Sequence, residues 1–238
     1  MTAGLTCSSL SISRPEDGVG ALSFALQPGS ALVVVGRNGT GKSTLLKTLA
    51  GLLPPKSGSV LLDGEAIATM PPRQRARRLA FVSSTPPRGT ALSVRDVMEL
   101  ALEAGGHPVQ PDLVEEAMAS GGVKQWAHLE IDTLSDGMAQ RVMLARAAVQ
   151  SDALILLDEP TAFLDVVGRR EVMTDLGHWR NAGKTVVLAT HDLEAVEESG
   201  WADQWLVLRP PSKGGAVLLE EDFDSRAAKA LLIGEQPH

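Results

Sequence analysis

Residues 36–43, Gly-Arg-Asn-Gly-Thr-Gly-Lys-Ser, set glycines, a lysine and a serine at the spacing G-x-x-x-x-G-K-[ST]. Glycines let backbone N–H groups turn inward around phosphate oxygens, and a helix starting here adds the positive end of its dipole. In that chemistry Gly36, Arg37, Asn38, Gly39, Thr40 and Gly41 line the cradle, and Thr44 completes the ATP-binding set. Lys42 neutralises the β- and γ-phosphates, and the Ser43 hydroxyl ligates Mg²⁺. A second group, Asp158-Glu159-Pro160, ends an apolar run. A carboxylate there is costly unless it faces a cation. Asp158 is therefore expected to share the metal with Ser43, partly through water. Glu159 is the natural general base to orient or deprotonate an attacking water. Thr190-His191-Asp192 ends a third apolar run. His191 alone reads as structural; beside the other two groups it reads as a donor to the γ-phosphate or to that water.

Such groups work only if one scaffold brings them together. The runs 31–36, 153–158 and 185–190 are apolar throughout, as expected of strands covered on both faces of a parallel sheet. Segments 22–26, 59–62, 79–83 and 205–208 are weaker strand candidates, expected to be antiparallel or at an edge. Helices are expected over 41–50, stopped by Gly51 and Pro54-Pro55, over 135–150 behind a capping serine, and over 166–181. Residues 84–134, rich in Pro, Gly and Ala, carry helical patterns at 94–104 and 112–120 and read as an insertion into the sheet. The tail from Ser225 reads as a short helix. In an open α/β sheet ligands gather at the carboxyl ends of strands, which puts Lys42, Asp158 and His191 on one edge.

Leu134-Ser135-Asp136-Gly137-Met138-Ala139-Gln140-Arg141 resembles the LSGGQ signature of the ATP-binding cassette (ABC) ATPases. The order phosphate loop, signature, LLDEP, Thr161–Asp165 and His191 extends that resemblance over essentially the whole chain. It implies a P-loop NTPase (RecA-like) α/β fold: a mostly parallel sheet with an antiparallel β edge and a helical subdomain. The core would be about 1–83 and 142–238, and the subdomain about 84–141. It also implies that two subunits, most simply a homodimer, pack head to tail. Each ATP, with Mg²⁺, then lies between one chain's phosphate loop and Ser135, Asp136, Gly137 and Met138 of the other, with Asp165 in the D-loop. The sequence departs from the family at four points. Ser84 stands where a metal-touching glutamine is usual, and Arg14 is the candidate to stack on adenine in place of an aromatic residue. Asp136 and Met138 replace a glycine and a glutamine of the signature.

The 238 residues carry 22 Lys and Arg against 29 Asp and Glu, a net charge of −7 that disfavours nucleic-acid binding. With 44% hydrophobic and 21% charged residues the chain has an ordinary globular composition. A single cysteine, Cys7, excludes an intramolecular disulfide. The central apolar runs are about five residues long against the ~20 needed to span a bilayer, and no secretory signal pattern opens the chain. The expectation is a peripheral protein at the cytoplasmic face of the membrane, driving separate permease subunits, with or without a substrate-binding protein. PPRQRARRLAFV (71–82) followed by a helical insertion resembles importers of iron-siderophore, haem or cobalamin. A soluble ABC ATPase of a cofactor-assembly or nucleic-acid machine and a degenerate nucleotide-sensing subunit are the rival readings.

Overall fold

The computed structural model describes residues 4–12, 21–209 and 216–220. Its strands are β1 (Leu5–Ser11), β2 (Leu22–Leu26), β3 (Ala31–Gly36), β4 (Ser57–Leu62), β5 (Glu65–Ala66), β6 (Leu79–Val82), β7 (Leu154–Asp158), β8 (Thr185–Ala189), β9 (Gln204–Leu208) and β10 (Val217–Glu220). The helices are α1 (Lys42–Leu49), α2 (Pro72–Arg78), α3 (Val94–Gly105), α4 (Pro111–Ser120), α5 (Asp136–Gln150), α6 (Val166–Asn181) and α7 (Leu193–Ser199). Six strands form one sheet in the order β10-β9-β3-β8-β7-β6, parallel except for β10; the other four form an antiparallel sheet, β2-β1-β4-β5.

Every residue of β3, β7 and β8 is buried. The reason is visible in their alternation. Ala31, Val33, Val35, Ile155 and Leu157 face a core built with residues of α3 to α7, whereas Leu32, Val34, Leu154 and Leu156 face α1 and the antiparallel sheet. Two apolar faces on one strand demand cover on both sides, which is what continuous apolar runs encode. The register pairs Asp158 with Ala189 and Val34 with Ala189, so the carboxyl ends of β3, β7 and β8 finish side by side.

Four of the helices, α3, α5, α6 and α7, begin at a side-chain cap. Ser93 and Asp96 make a reciprocal capping box on α3, Ser135 caps α5, and Asp165 caps α6 by accepting from the Gly168 N–H at 2.8 Å. No helix among the described residues is long and apolar enough to cross a membrane. One expectation is corrected: β9 is neither antiparallel to its core neighbour nor at the edge. It pairs in parallel with β3, and β10 supplies the antiparallel edge beyond it. Four of its five residues are buried, as an interior strand requires. The helix expected beyond Ser225 lies outside the described residues, as does Arg14. The arginine run at 73–78 forms α2, where Arg78 pairs with Asp63 and Glu65, and Arg77 with Asp152.

Candidate nucleotide-binding and hydrolytic site

The turn from β3 into α1 is shaped by its glycines. Gly39 and Gly41 adopt φ of 77° and 100°, a region that side chains with a Cβ disfavour. A Cβ on Gly36 would stand 2.4 Å from the Thr40 hydroxyl, which itself donates to the Arg37 carbonyl at 2.8 Å. Thr40 and Lys42 are buried, and the loop opens on a cleft of about 340 Å³ lined by Gly36, Arg37, Asn38, Thr190 and His191. Lys42 Nζ donates to the Gly36 carbonyl at 2.9 Å and sits 3.4 Å from Glu159 Oε1. The ammonium thus lies folded over its own loop, where a phosphate oxygen can replace the carboxylate.

Glu159 is held in an unusual way. Its φ of 49° places a non-glycine residue in the left-handed region, at a cost of about 1–2 kcal/mol. The Glu159 N–H donates to the Ala189 carbonyl at 2.9 Å, and its own carbonyl accepts from Ala162 N–H at 3.2 Å. These bonds fix the strained turn and aim the carboxylate across the strand ends. There Glu159 Oε2 lies 2.8 Å from His191 Nδ1 and accepts from the His191 N–H at 3.3 Å. His191 is 70% exposed at its side chain, against 16% for Glu159, so the ring projects into solvent from a half-buried anchor. Lys42, Glu159 and His191 therefore form one contiguous chain of contacts.

Asp158 sits beneath them and is almost fully buried. Burial pushes its carboxyl above the usual range; the Ser43 hydroxyl and the Lys42 charge pull in the opposite direction, and Glu159 adds to the rise. Oδ1 of Asp158 is buried with no hydrogen-bond partner. A buried, orphaned carboxylate oxygen beside a serine hydroxyl is the donor set of a hard, oxygen-seeking cation, so the residues present fit Mg²⁺.

The signature residues stand apart from this cluster. Ser135 Oγ accepts from the Met138 N–H at 3.2 Å, and no hydrogen bond or ion pair among the described residues joins 135–138 to 36–43. A Cβ on Gly137 would lie 2.9 Å from the Phe163 carbonyl, so this glycine lets the start of α5 pack on the 161–165 turn. Asp165 spends its carboxylate on the α6 cap. Ser84, half-buried two residues beyond β6, makes no side-chain hydrogen bond to Ser43 or Asp158.

Several residues joining these parts escaped the sequence reading. Gln140, fully buried, donates to the Ser83 carbonyl at 3.3 Å and ties α5 to the segment after β6. Arg141 pairs with Glu171 at 3.0 Å and ties α5 to α6. Arg88 pairs with Asp136 and donates to the carbonyls of Ile131 and Leu134 at 2.9 and 3.1 Å. An acidic residue, Asp136, in the first turn of α5 was the available signal for such a counter-ion.

A phosphate loop on a parallel sheet, with a carboxylate pair and a histidine on adjoining strand ends, defines a P-loop nucleotide-binding domain. Residues 19–162 match the ABC transporter family, and the chain belongs to that family. It is 38% identical over 181 residues to the cobalamin import ATP-binding protein BtuD of Halobacterium salinarum, covering 71% of this chain and 44% of that protein. The chain thus spans less than half the length of that relative. It is 34% identical over 217 residues to the hemin import ATP-binding protein HmuV of Rhodopseudomonas palustris, covering 87% and 80%. The petrobactin import ATP-binding protein FpuD of Bacillus anthracis is 34% identical over 183 residues, 72% of this chain and 66% of that one. Among solved structures, an ATP-binding subunit of an ABC transporter superposes with a TM-score of 0.78 at 24% identity, covering 98% of this chain and 95% of the other.

Proposed function

We propose that this protein is an ATP-hydrolysing subunit that energises an ABC importer of a metal chelate such as a siderophore, haem or cobalamin. The observation that carries the reading is the contact chain Lys42–Glu159–His191 over the orphaned oxygen of Asp158. Relatives named for cobalamin, petrobactin and hemin import support the cargo class.

In this mechanism the loop amides of 36–43 bind the phosphates and Lys42 exchanges its carboxylate partner for a γ-phosphate oxygen. Ser43 and Asp158 would hold Mg²⁺, which would supply charge neutralisation for the triphosphate. Glu159, released from Lys42, orients the attacking water and accepts its proton. His191, hydrogen-bonded to Glu159, donates to the γ-phosphate side of the site. Ser84, the residue where a metal-touching glutamine is usual, would need a water to reach the metal, and Arg14 is the sequence's candidate to stack on the base.

The signature half of each site comes from a second copy. Its Ser135, Gly137 and Met138 close over the triphosphate, and Asp165 lies in the seam. Residues 84–141 act as the helical subdomain against a core of 1–83 and 142–238. α5 runs unbroken across 141–142, so closure at its first turn is transmitted along one rigid rod. Permease subunits dock on the groove between α2, β6 and α5, where Leu52, Phe81 and Met143 give an apolar floor beside Arg146. That docking places the protein at the cytoplasmic face of the membrane, with a substrate-binding protein delivering cargo from the other side.

The test is ATP turnover by the purified protein together with its Glu159→Gln variant. Turnover is expected to fall by about 10²–10⁴-fold in the variant while ATP binding survives and a nucleotide-loaded dimer accumulates. A variant that hydrolyses ATP at the unaltered rate removes Glu159 from the mechanism.

A further inference from the structure

The first residue of α5 is an acid placed where, in the proposed closed dimer, the partner copy's triphosphate must land. Asp136 is favourable to its own helix, because a carboxylate at an N-terminus complements the dipole. The same carboxylate spends the positive potential that an arriving γ-phosphate would use. A signature headed by an unpaired acid would therefore repel its ligand.

The structure supplies a remedy. Arg88 reaches across from the loop after β6, one guanidinium nitrogen on Asp136 Oδ1 and another shared by the carbonyls of Ile131 and Leu134. The loop that carries it is fastened from the other side as well. Asp132 accepts from the N–H groups of Gly89 at 3.0 Å and Thr90 at 3.1 Å. The two carbonyl bonds and the Asp132 cradle hold Arg88 in place whether or not Asp136 is charged. Side-chain exposures of 37% for Arg88 and 53% for Asp136 leave the pair open to a second molecule. A guanidinium has five donors, so bonds to two carbonyls and one carboxylate leave N–H groups over.

We infer that Arg88 is a positioning residue for the nucleotide reaction: it neutralises Asp136 so that the signature of one chain can approach the triphosphate held by another. This rests on the proposed function above. It assigns a specific need to this chain, in which the counter-ion is required because the signature carries an acid.

The experiment follows ATP-driven self-association of the Glu159→Gln protein by sedimentation, with fluorescent-nucleotide binding to the dilute monomer as a second readout. Arg88→Ala is expected to raise the ATP concentration for half-maximal association about tenfold, the equivalent of ~1.4 kcal/mol, with monomer binding unchanged. Arg88→Gln, which keeps a donor for the carbonyls but loses the charge, is expected to behave the same way and covers the case in which the alanine variant misfolds. Adding Asp136→Asn to either is expected to restore most of the lost association. A double variant as impaired as its Arg88 parent would show that Arg88 serves only the backbone carbonyls, and single variants that associate at the original ATP concentration would equally overturn the inference. If the parent neither binds nor associates with ATP, the proposed function fails first and takes this inference with it.

Discussion

At the carboxyl edge of the parallel sheet, Lys42, Glu159 and His191 meet within one chain, whereas no hydrogen bond or ion pair among the described residues joins the start of α5 to them. The first region is assembled by strand register. β3, β7 and β8 end side by side, and backbone bonds such as Glu159 N–H to the Ala189 carbonyl lock the turn. Its charges are already paired, with Lys42 and Glu159 8% and 16% exposed at their side chains. The second region is assembled by helix capping and an exposed ion pair. Under the proposed function the difference makes binding and closure separable: an internally paired cradle takes nucleotide alone, and an exposed helix start is brought to it by a second copy.

The most severe way to break that separation is to remove the cradle's cation. Lys42→Ala is expected to weaken ATP binding by about 100-fold or more, the scale of a lost charge-assisted contact in a buried site, measured by nucleotide titration. Ser135→Arg sharpens the comparison from the other side. It should leave titration of the monomer unchanged while abolishing turnover, because a bulky cation at the α5 cap blocks approach. Mixing the two defective proteins should restore turnover, since the intact loop of one can meet the intact signature of the other. A mixture that stays inactive would mean that each chain completes its own site.

His191→Ala tests how far the cradle depends on its exposed end. The ring is fixed through Nδ1 to Glu159, so its loss should lower turnover by about 10–100-fold through misplacement of the base, with little change in nucleotide titration. An equal loss in titration would instead make the histidine a binding residue.

Which parts of this were legible in the sequence follows from where the determining contacts lie. The three buried strands and the motifs at their ends are local patterns, and the structure places them at the stated residues. β1 was not readable because Leu-Thr-Cys-Ser-Ser-Leu-Ser breaks its alternation. The register slips between Cys7 and Leu10, with Ser9 at φ 46°, and Gly58 lies so close that a Cβ there would stand 2.3 Å from the Ser9 carbonyl. The bulge conceals a strand whose Leu5, Cys7 and Leu10 are all buried. β9 was misplaced because a five-residue apolar run does not say which neighbours it will have. In the site, Lys42, Asp158 and Glu159 were legible through spacing. Arg88 and Arg141 were not, since their partners lie tens of residues away and nothing local marks the pairing.

Asp158 carries the smallest prediction and the one that separates metal binding from folding. Its carboxyl is pushed up by burial, so between the ordinary carboxylate range near 4 and the raised native value the folded protein binds more protons than the unfolded one. Stability contributed by this group is therefore full at acid pH and falls as pH rises through that window, opposite to a salt-bridged aspartate. Asp158→Asn removes the charge that burial penalises. In nucleotide- and metal-free protein at neutral pH it should raise the melting temperature by about 2–4 °C, corresponding to ~1 kcal/mol in a domain of this size, and the advantage should vanish below about pH 4. Adding Mg²⁺ with ATP should reverse the order, stabilising the unaltered protein more than the variant. A variant less stable than its parent at neutral pH without ligand would show that the buried carboxylate is satisfied within the chain. The cradle would then not be waiting for a cation, and the separation between a loop ready for ligand and a helix ready for a partner would lose its physical basis.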